Sequence, residues 1–306
     1  MSDQAPFHFN PSADRPHVRL ALPDGARAWV SAQLGGVRIR STRVLSGGIS
    51  HANVALIVGG DPGHAVVLRR WTRPAWEIDD ADYTVAREAL AMGALAKAGI
   101  PAPRCLATDP TGEYCGAPAL LMSRPPGAQP TAETARLPHF ARKLGAAIRR
   151  IHERVVLPDG LPDFEPYNDL SELLIPTGAT RLGLWKEMYE VLRGPAPQAR
   201  RTFIHRDFHA GNTLWNGNHL TGIVDWTTAS AGPIGVDLSH MRANMVITGW
   251  RQLADDYLAA YLAQSDGNEH HPYWDLRVIA DFGDEEFTPT EIGRIEDYLA
   301  ETLARI

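Results

Sequence analysis

The chain contains few cysteines and no long hydrophobic run. Only 2 of its 306 residues are cysteine, and Cys105 and Cys115 lack the second cysteine pair or the histidines that would complete a zinc site. Two cysteines are too few for a disulfide framework, so we expect a reduced, cytoplasmic protein. No segment reaches the roughly 18 uninterrupted apolar residues of a membrane span, and charged residues interrupt the N-terminal region where a signal peptide needs an apolar core. We therefore expect no membrane partner.

An excess of basic residues is also absent. The chain has 30 Lys+Arg against 36 Asp+Glu, a formal net charge of −6, whereas proteins that bind nucleic acid usually carry a clustered basic surface. We therefore expect no nucleic-acid partner and favour a cationic or neutral small molecule. With 44% hydrophobic residues the chain is not disordered, and at about 100 to 200 residues per domain it has room for two lobes with a ligand cleft between them.

The first part of the chain has a β-type pattern. Residues 1–27 read as a loosely structured lead-in rich in proline and glycine. Short runs of Val, Ile and Leu, separated by glycine turns, predict three antiparallel strands within residues 37–70. Apolar residues at helical spacing in residues 81–99 then predict a helix of about 16 residues. We place a nucleotide-binding N-lobe at residues 28–126.

The remainder, residues 127–306, is mainly helical in pattern. Its clearest amphipathic stretch covers residues 135–155, and one loop-rich β segment interrupts the helices at residues 202–226. The sequence therefore predicts an α+β fold with two lobes. A small antiparallel-sheet N-lobe with one main helix is followed by a larger, mainly helical C-lobe that carries the catalytic and substrate-binding residues.

The β segment contains the densest group of polar residues, His205-Arg-Asp-Phe-His-Ala-Gly-Asn212. This sequence satisfies the catalytic-loop pattern of protein kinases, H-R-D-x-x-x-x-N. Asp207 would accept the proton of an attacking hydroxyl, and the side-chain oxygen of Asn212 would coordinate Mg²⁺. Three fixed positions match by chance in a chain of this length at a rate on the order of a few percent, so the motif alone is only suggestive.

A second carboxylate follows at the end of a short apolar strand. Asp225 ends the run Gly-Ile-Val-Asp, and the intervening Asn-Gly-Asn turn predicts a hairpin that returns the chain to its starting point. The hairpin would bring Asp207, Asn212 and Asp225 together and make Asp225 a second Mg²⁺ ligand. Taken one residue at a time, a capping role for Asp225 and a turn role for Asn212 remain open.

Two features upstream have the chemistry of a nucleotide site. Gly47, Gly48 and Ser50 connect two predicted strands, where glycine permits close backbone approach to phosphate and a hydroxyl can donate to it. An ordinary hairpin has the same pattern. Arg69 ends a strand and Glu88 lies in the following helix, so the two can form an ion pair; the alternative is a solvated surface salt bridge.

Together these features resemble the aminoglycoside phosphotransferase and choline kinase superfamily, a branch of the protein-kinase-like fold. The order of glycine turn, strand cation, helix glutamate, HRDFHAGN and IVDW carries the resemblance, and HRDFHAGN is close to the HGDxxxxN signature of that family. Residues 119–130, 144–153 and 233–241 support it. The resemblance implies a Mg²⁺-dependent kinase that transfers the γ-phosphoryl of ATP or GTP to a hydroxyl of a small molecule, such as an aminoglycoside, amino alcohol, sugar or macrolide.

The resemblance also implies roles for particular residues. Asp207 would be the catalytic base, Asn212 and Asp225 would bind Mg²⁺, and His205 and Asp237 would support the loop. The adenine would lie against the segment from Leu121 to Arg124. The residues implied for the nucleotide site as a whole are Gly47, Gly48, Ser50, Arg69, Glu88, Met122 and Ser123.

Two departures from the family pattern stand out. Arg69 occupies the place of a nucleotide-contacting lysine, and its planar fork is not equivalent to a compact ammonium. Arg70 cannot replace it, because adjacent strand residues point to opposite faces. The metal strand continues as Asp-Trp-Thr from Asp225, whereas the literal Asp-Phe-Gly at residues 281–283 lies far from the motif and has no strand pattern around it.

Two other functions remain open at this stage. A metallohydrolase could use His205, Asp207 and His209, which alternate as zinc ligands on a strand would. A catalytically silent nucleotide-binding module would be consistent with the arginine at position 69.

The acceptor also remains open, because the residues that could select it have structural explanations. Acidic side chains that could bind a polycation, or simply form a solvated helix face, gather in the C-terminal helices: Asp255, Asp256, Asp266, Glu269, Asp275, Asp281, Asp284, Glu285 and Glu286. Aromatic residues there could stack on a substrate or belong to the core: Trp250, Tyr257, Tyr261, Tyr273 and Trp274.

Overall fold

An antiparallel five-stranded sheet forms the N-terminal half of the molecule. The computed structural model describes residues 16–45, 50–60, 63–79, 82–263, 270–283 and 285–306. The strands are β1 (Ile39–Val44), β2 (His51–Val58), β3 (His64–Trp71), β4 (Cys105–Asp109) and β5 (Ala119–Ser123), in the order β1-β2-β3-β5-β4. The three strands predicted within residues 37–70 are confirmed, and β4 and β5 extend the sheet beyond β3.

Both faces of the sheet are covered. Helix α1 (Asp24–Gln33), preceded by a 3₁₀ turn at Pro16–Val18, packs Trp29 and Val30 against one face, and it begins before residue 28, where the sequence pattern places the start of the N-lobe. The short helix α2 (Trp76–Asp79) follows β3. Helix α3 (Val85–Lys97) covers the opposite face. Because successive strand residues alternate between faces, β3 directs Arg69 towards α3 and Arg70 towards α1.

Helix α3 is somewhat shorter than its periodicity predicts. Thr84 caps its N-terminus by accepting a hydrogen bond from the backbone N–H of Arg87 at 3.4 Å. Gly99, with φ +67°, follows the C-terminus in the left-handed conformation that glycine adopts easily. Glu88 lies one turn inside the helix and is fully buried. The position of the helix N-terminus therefore places this carboxylate against the sheet.

Helices build the rest of the molecule. They are α4 (Ala132–Ala135), α5 (Phe140–Arg154), α6 (Leu182–Arg193), α7 (Ile234–Ile247), α8 (Arg251–Leu262), α9 (Pro272–Asp281) and α10 (Pro289–Leu303). Helix α7 is central: it packs against α8, α9 and α10, and nearly all its side chains are buried. Gly145 of α5 allows α8 to approach closely, since a Cβ there would lie 3.1 Å from the backbone of Tyr257. Within the described residues no helix is both long and apolar enough to span a membrane.

Short strands between α6 and α7 carry the polar motif. Strand β6 (Arg201–Ile204) pairs with β9 (Ser230–Pro233), and a 3₁₀ turn at Ala210–Asn212 leads into the hairpin of β7 (Thr213–Asn216) and β8 (His219–Ile223). The predicted hairpin is confirmed, with Gly217 at φ +55° in its turn. The predicted α+β, protein-kinase-like architecture, a small sheet lobe beside a helical lobe, is confirmed as well.

Candidate active site

The loop after β6 is held by a single buried carboxylate. Asp237, in the first turn of α7, accepts hydrogen bonds from the backbone N–H groups of His205 at 2.9 Å and Arg206 at 2.7 Å. His152 of α5 donates from Nε2 to the same carboxylate at 3.0 Å and bonds the hydroxyl of Tyr261 through its other ring nitrogen at 2.9 Å. Asp237 thus fixes the backbone immediately before Asp207, and no sequence pattern indicates that His152 shares this task.

His205 connects this loop to the strand that precedes Asp225. Its Nε2 donates to the carbonyl oxygen of Val224 at 3.0 Å, and its ring packs against Trp226 with centroids 4.3 Å apart. The side chain is fully buried. Within the described residues no group of three or more His, Cys, Asp and Glu side chains is arranged to hold a metal, so the zinc site required by the metallohydrolase alternative does not form there.

Asp207 and Asn212 are directly connected. The Asn212 amide donates from Nδ2 to the backbone oxygen and to Oδ2 of Asp207, both at 3.0 Å. This contact turns the side-chain oxygen of Asn212 away from Asp207. The backbone oxygen of Asn212 accepts from the N–H of Val224 at 2.9 Å, which places Asn212 beside Asp225. The structure therefore brings together the three residues that the hairpin predicts will converge.

Asp225 lies where the two lobes meet. Its backbone has φ +66°, in the left-handed region, and its side chain is 35% exposed, so a ligand can reach it. Oδ1 of Asp225 accepts from Nη1 of Arg69 at 2.7 Å. Burial opposes ionisation, but the Arg69 guanidinium holds the pKa of Asp225 below its ordinary range. The carboxylate is therefore charged at neutral pH.

Arg69 is the centre of a cluster that joins the lobes. Besides Asp225, its Nη1 contacts Oε1 of Glu88 at 2.8 Å and the hydroxyl of Thr227 at 2.8 Å, while Nε donates to Oδ1 of Asn53 at 3.1 Å. The expected pairing with Glu88 is present and is buried, so it is not a surface salt bridge. One nitrogen with two protons serves three acceptors, so these contacts compete.

Burial also shifts the charge states around Arg69. It raises the pKa of Glu88, although Arg69 acts in the opposite direction. It lowers the pKa of His51 to about 3, and the nearby Arg69 contributes to this shift. His51 is consequently neutral at pH 7, with its ring edge-on to Trp71 at 4.6 Å between centroids. His51, Asn53 and Thr227 were not identified from the sequence.

Arg70 confirms the alternation of faces. Its guanidinium donates to the backbone oxygen of Ala21 at 2.8 Å and to that of Cys115 at 3.4 Å, on the α1 side of the sheet. Arg70 is therefore engaged away from Arg69, as the strand geometry predicts.

Two imidazoles approach the other oxygen of Asp207. Nε2 of His240 lies 3.5 Å from Oδ1, and Nε2 of His209 lies 3.8 Å from it. His209 accepts from the N–H of Gly211 through Nδ1 at 3.2 Å, which leaves its proton on the nitrogen facing Asp207, and burial lowers its pKa. His240 was missed by the sequence reading, although its position three residues after Asp237 places it on the same face of a helix.

The nucleotide-side predictions are located only in part. Gly47 and Gly48 lie outside the described residues, and Ser50 immediately precedes β2. Met122 and Ser123 end β5, and the Ser123 hydroxyl accepts from the backbone N–H of Arg104 at 2.9 Å. The chain then crosses into the helical half, where Gly127 has φ +106°. Contact of these residues with a nucleotide remains a prediction.

Three of the acidic residues considered for substrate binding are paired internally. Asp255 bonds Arg251 at 3.1 Å, Asp275 is buried against Arg242, and Asp281 bonds Arg277 at 2.5 Å. The last pair also shows that the literal Asp-Phe-Gly ends helix α9 and is not a metal strand. Asp266, Glu269 and Asp284 fall outside the described residues. Tyr257 and Tyr261 are buried in the core.

Solved structures of aminoglycoside and macrolide phosphotransferases and of a choline/ethanolamine kinase family protein have a similar fold. An aminoglycoside 2'-phosphotransferase-IIIa, solved as its GDP complex, is 17% identical and covers 90% of this chain and 96% of its own, with a TM-score of 0.60. A macrolide 2'-phosphotransferase from Brachybacterium faecium is 18% identical over 84% of this chain and 88% of its own, with a TM-score of 0.57. A choline/ethanolamine kinase family protein from Mesorhizobium loti is 20% identical over 92% and 98%, with a TM-score of 0.57.

Sequence comparison gives a relative that matches over part of the chain and a family. The methylthioribose kinase of Bacillus velezensis is 26% identical over 156 residues, which cover 49% of this chain and only 37% of that kinase. The model of the phosphotransferase enzyme family matches residues 41–277, which include nearly all of the sheet, the loop after β6 and most of the helices. The chain therefore belongs to the phosphotransferase enzyme family, as its resemblance to aminoglycoside phosphotransferases and choline kinases predicted.

Proposed function

We propose that the protein transfers the γ-phosphoryl group of ATP or GTP to a hydroxyl of a small molecule, with Mg²⁺ as cofactor. The observation that carries this proposal is the convergence of Asp207, Asn212 and Asp225 beside the buried pair of Arg69 and Glu88. These groups lie where the proposed N-lobe (28–126) meets the proposed C-lobe. Phosphoryl transfer needs a base, oxygen ligands and fixed charge in one place.

Asp207 is the proposed catalytic base. Its Oδ2 is held by the amide of Asn212 at 3.0 Å, which orients the carboxylate, and its Oδ1 faces two imidazoles across 3.5 Å and 3.8 Å. A hydroxyl that approaches Oδ1 would deliver its proton to a carboxylate of fixed orientation. Positioning of this kind accounts for much of the rate enhancement in phosphoryl transfer.

The donor set at Asn212 and Asp225 fits Mg²⁺. Both supply hard oxygen atoms, and Mg²⁺ is usually bound through one or two carboxylates together with substrate phosphates. When bound, the ion would neutralise charge on the phosphates. Arg69 can give up its contact with Asp225 because Glu88 and Thr227 remain as partners of the same nitrogen.

We propose an uncharged acceptor, such as a sugar. Asp207 is faced by His209 and His240, and the ring of Phe282 packs edge-on against His240 with centroids 5.5 Å apart. Among the described acidic residues of this region, Asp255, Asp275 and Asp281 are already paired with arginines. The proteins of similar fold are named for aminoglycoside, macrolide and choline or ethanolamine acceptors, and the distant relative is named for methylthioribose.

A coupled ADP-release assay tests the proposal. The purified protein would be supplied with Mg²⁺ and ATP or GTP and screened against sugars, macrolides, amino alcohols and aminoglycosides. We expect release that depends on the acceptor and that falls by about 10² to 10⁴ in Asp207→Asn, the range expected for loss of a general base. Asp159→Asn makes the same change at an exposed position and should match the wild type.

Three results would contradict the proposal or a part of it. Nucleotide binding without acceptor-dependent turnover would support the silent nucleotide-binding module instead. Turnover that survives in Asp207→Asn would remove that residue from its role. Preferential use of polycationic aminoglycosides would retain the kinase but overturn the uncharged acceptor.

A further inference from the structure

Arg206, the residue before the proposed base, has an unfavourable backbone conformation. Its φ is +69°, in the left-handed region where a side chain is strained and glycine is not. Its backbone N–H is fixed by Asp237 at 2.7 Å, and the residue is only 5% exposed. Strain of this kind persists where surrounding contacts hold the residue in place, so the contacts of the side chain indicate what the strain maintains.

The Arg206 guanidinium is enclosed by aromatic rings. It lies 3.9 Å from the ring centroid of Tyr167, 5.1 Å from that of Tyr83 and 5.6 Å from that of Phe164. One terminal nitrogen donates to the hydroxyl of Tyr83 and the other to the backbone oxygen of Glu165. Tyr167, Phe164 and Glu165 belong to the helical half of the chain, whereas Tyr83 belongs to the sheet half.

Tyr83 connects Arg206 to the residues that hold Arg69 and Glu88. It directly precedes Thr84, the cap of helix α3, which carries Glu88. Its backbone oxygen accepts from Nε1 of Trp71 at 3.0 Å, and Trp71 ends β3 two residues after Arg69. A continuous set of contacts therefore runs from the residue beside the proposed base to the elements of the sheet half that carry the buried ion pair.

We propose that Arg206 is a positioning residue that holds helix α3 against the catalytic loop and so fixes the spacing between Asp207 and the Arg69–Glu88 pair. The inference rests on the proposed function, because the object held in that space is the nucleotide. The planar guanidinium can stack on rings and donate to both lobes at once, which neither glycine nor lysine can do at this position.

The variants follow from these contacts. Arg206→Gly removes the guanidinium and relieves the backbone strain, so it should fold. Tyr83→Phe keeps the ring and removes only the hydroxyl acceptor. Arg206→Lys keeps the charge without the planar fork, and Arg38→Gly, a change at an exposed arginine of the sheet half, serves as the matched control.

Calorimetric titration with a non-hydrolysable ATP analogue and Mg²⁺ measures the effect on binding. We expect the Kd to rise about tenfold in Arg206→Gly and less in Tyr83→Phe, with the double variant no weaker than Arg206→Gly, since coupled neighbours are not additive. Arg206→Lys should not restore binding, and the melting temperatures of the variants should stay close to that of the wild type. Unchanged affinity, or fully additive effects, would overturn the proposal.

A distance measurement tests the inference without nucleotide. Spin labels at Thr42 and Glu190, which are exposed in the two halves, would be attached in a Cys105→Ser background, where the remaining Cys115 is buried. We expect a narrow distance distribution in the wild-type background and a broader one with Arg206→Gly. An unchanged distribution contradicts the role of Arg206, whereas failure of the wild type to bind nucleotide contradicts the proposed function.

Discussion

Two of the buried ion-pair clusters in the described part of the chain differ in what can reach them. The active-centre cluster comprises Arg69, Glu88 and Asp225. The C-lobe cluster comprises Arg242 of α7 with Asp275 of α9, where the side chains are 1% and 0% exposed. Each cluster contains an arginine almost closed to water and a carboxylate that is fully buried, Glu88 in one and Asp275 in the other.

Access and competition separate the two clusters. In the active centre, one nitrogen of Arg69 serves three acceptors, and one of these, Asp225, is 35% exposed. In the C-lobe, Asp275 is fully buried and contacts several basic side chains: Arg242, His270 at 3.3 Å and Arg305 at 3.8 Å. In both cases an arginine offsets burial and lowers the pKa of the aspartate. A lowered aspartate pKa alone therefore does not identify a functional site. The exposure of Asp225, and its competition with other acceptors for Arg69, distinguish the active-centre cluster.

Within these two clusters, the largest effect we expect comes from Asp225→Asn. The change removes a charged Mg²⁺ ligand but leaves Arg69 paired with Glu88, so activity should fall by about 10² to 10³, the range for loss of one electrostatic contact to the transition state. Stability should change little. Steady-state kinetics at saturating Mg²⁺ and nucleotide, with thermal unfolding in parallel, would measure both. If Asp225→Asn lowered the unfolding temperature but kept its activity, this cluster would serve stability and not catalysis.

The same substitution in the C-lobe cluster should have the opposite result. Asp275→Asn removes the buried carboxylate and leaves Arg242 with only the exposed carboxylate of Asp255 at 3.6 Å, and breaking a buried pair costs about 3 to 5 kcal/mol of unfolding free energy. Activity per folded molecule should remain near the wild-type level. Urea titration of both variants, with activity assayed at low temperature, gives the comparison directly. Loss of activity at full stability in Asp275→Asn would show that this cluster contributes to the site.

The fold and the central residues of the site could be predicted because their signals are local. Glycine-broken β runs, the helix at residues 85–97 and the Asn-Gly hairpin each depend on neighbouring residues, and the spacing of Asp207 and Asn212 lies within one loop. Helix α1 was missed, since the proline and glycine around it resembled a lead-in.

Contacts between distant segments could not be predicted in the same way. Helix α7 is buried on nearly all sides, so its sequence has no amphipathic period that would single out the face shared by Asp237 and His240. Thr227 and Asn53 contact Arg69 only because β2, β3 and the turn after β8 meet in three dimensions. Such residues are ordinary in sequence and become meaningful only in the structure.

An arginine-to-lysine change in each cluster should sharpen the comparison at smaller scale. Lysine in place of Arg69 would keep the charge beside Glu88 but lose the Nε contact with Asn53, so Arg69→Lys should weaken nucleotide binding by about tenfold or less. Arg242→Lys should instead lower stability by about 1 to 2 kcal/mol with unchanged nucleotide affinity. Calorimetry and urea unfolding distinguish these results, and equal affinity in Arg69→Lys and wild type would show that the guanidinium is not needed.

The smallest effect concerns pH and the half-buried His51, which faces Arg69, Asp225, Arg73 and His17. Its pKa is lowered from 6.5 to about 3, so between these values the unfolded chain binds the proton and the folded protein does not. Stability from this residue is therefore complete above pH 6.5 and decreases as the pH falls towards 3. Because the ring keeps some contact with water, we expect a contribution of only about 1 kcal/mol to the loss between pH 7 and pH 5.

His51→Gln isolates this contribution. Urea unfolding at pH 7 and pH 5 should show a smaller loss of stability in the variant than in the wild type, because glutamine takes up no proton in the unfolded chain. His64→Gln, at the exposed end of the neighbouring strand, should lose as much as the wild type. Equal pH dependence in His51→Gln and wild type would show that protonation of His51 does not contribute to the pH dependence of stability.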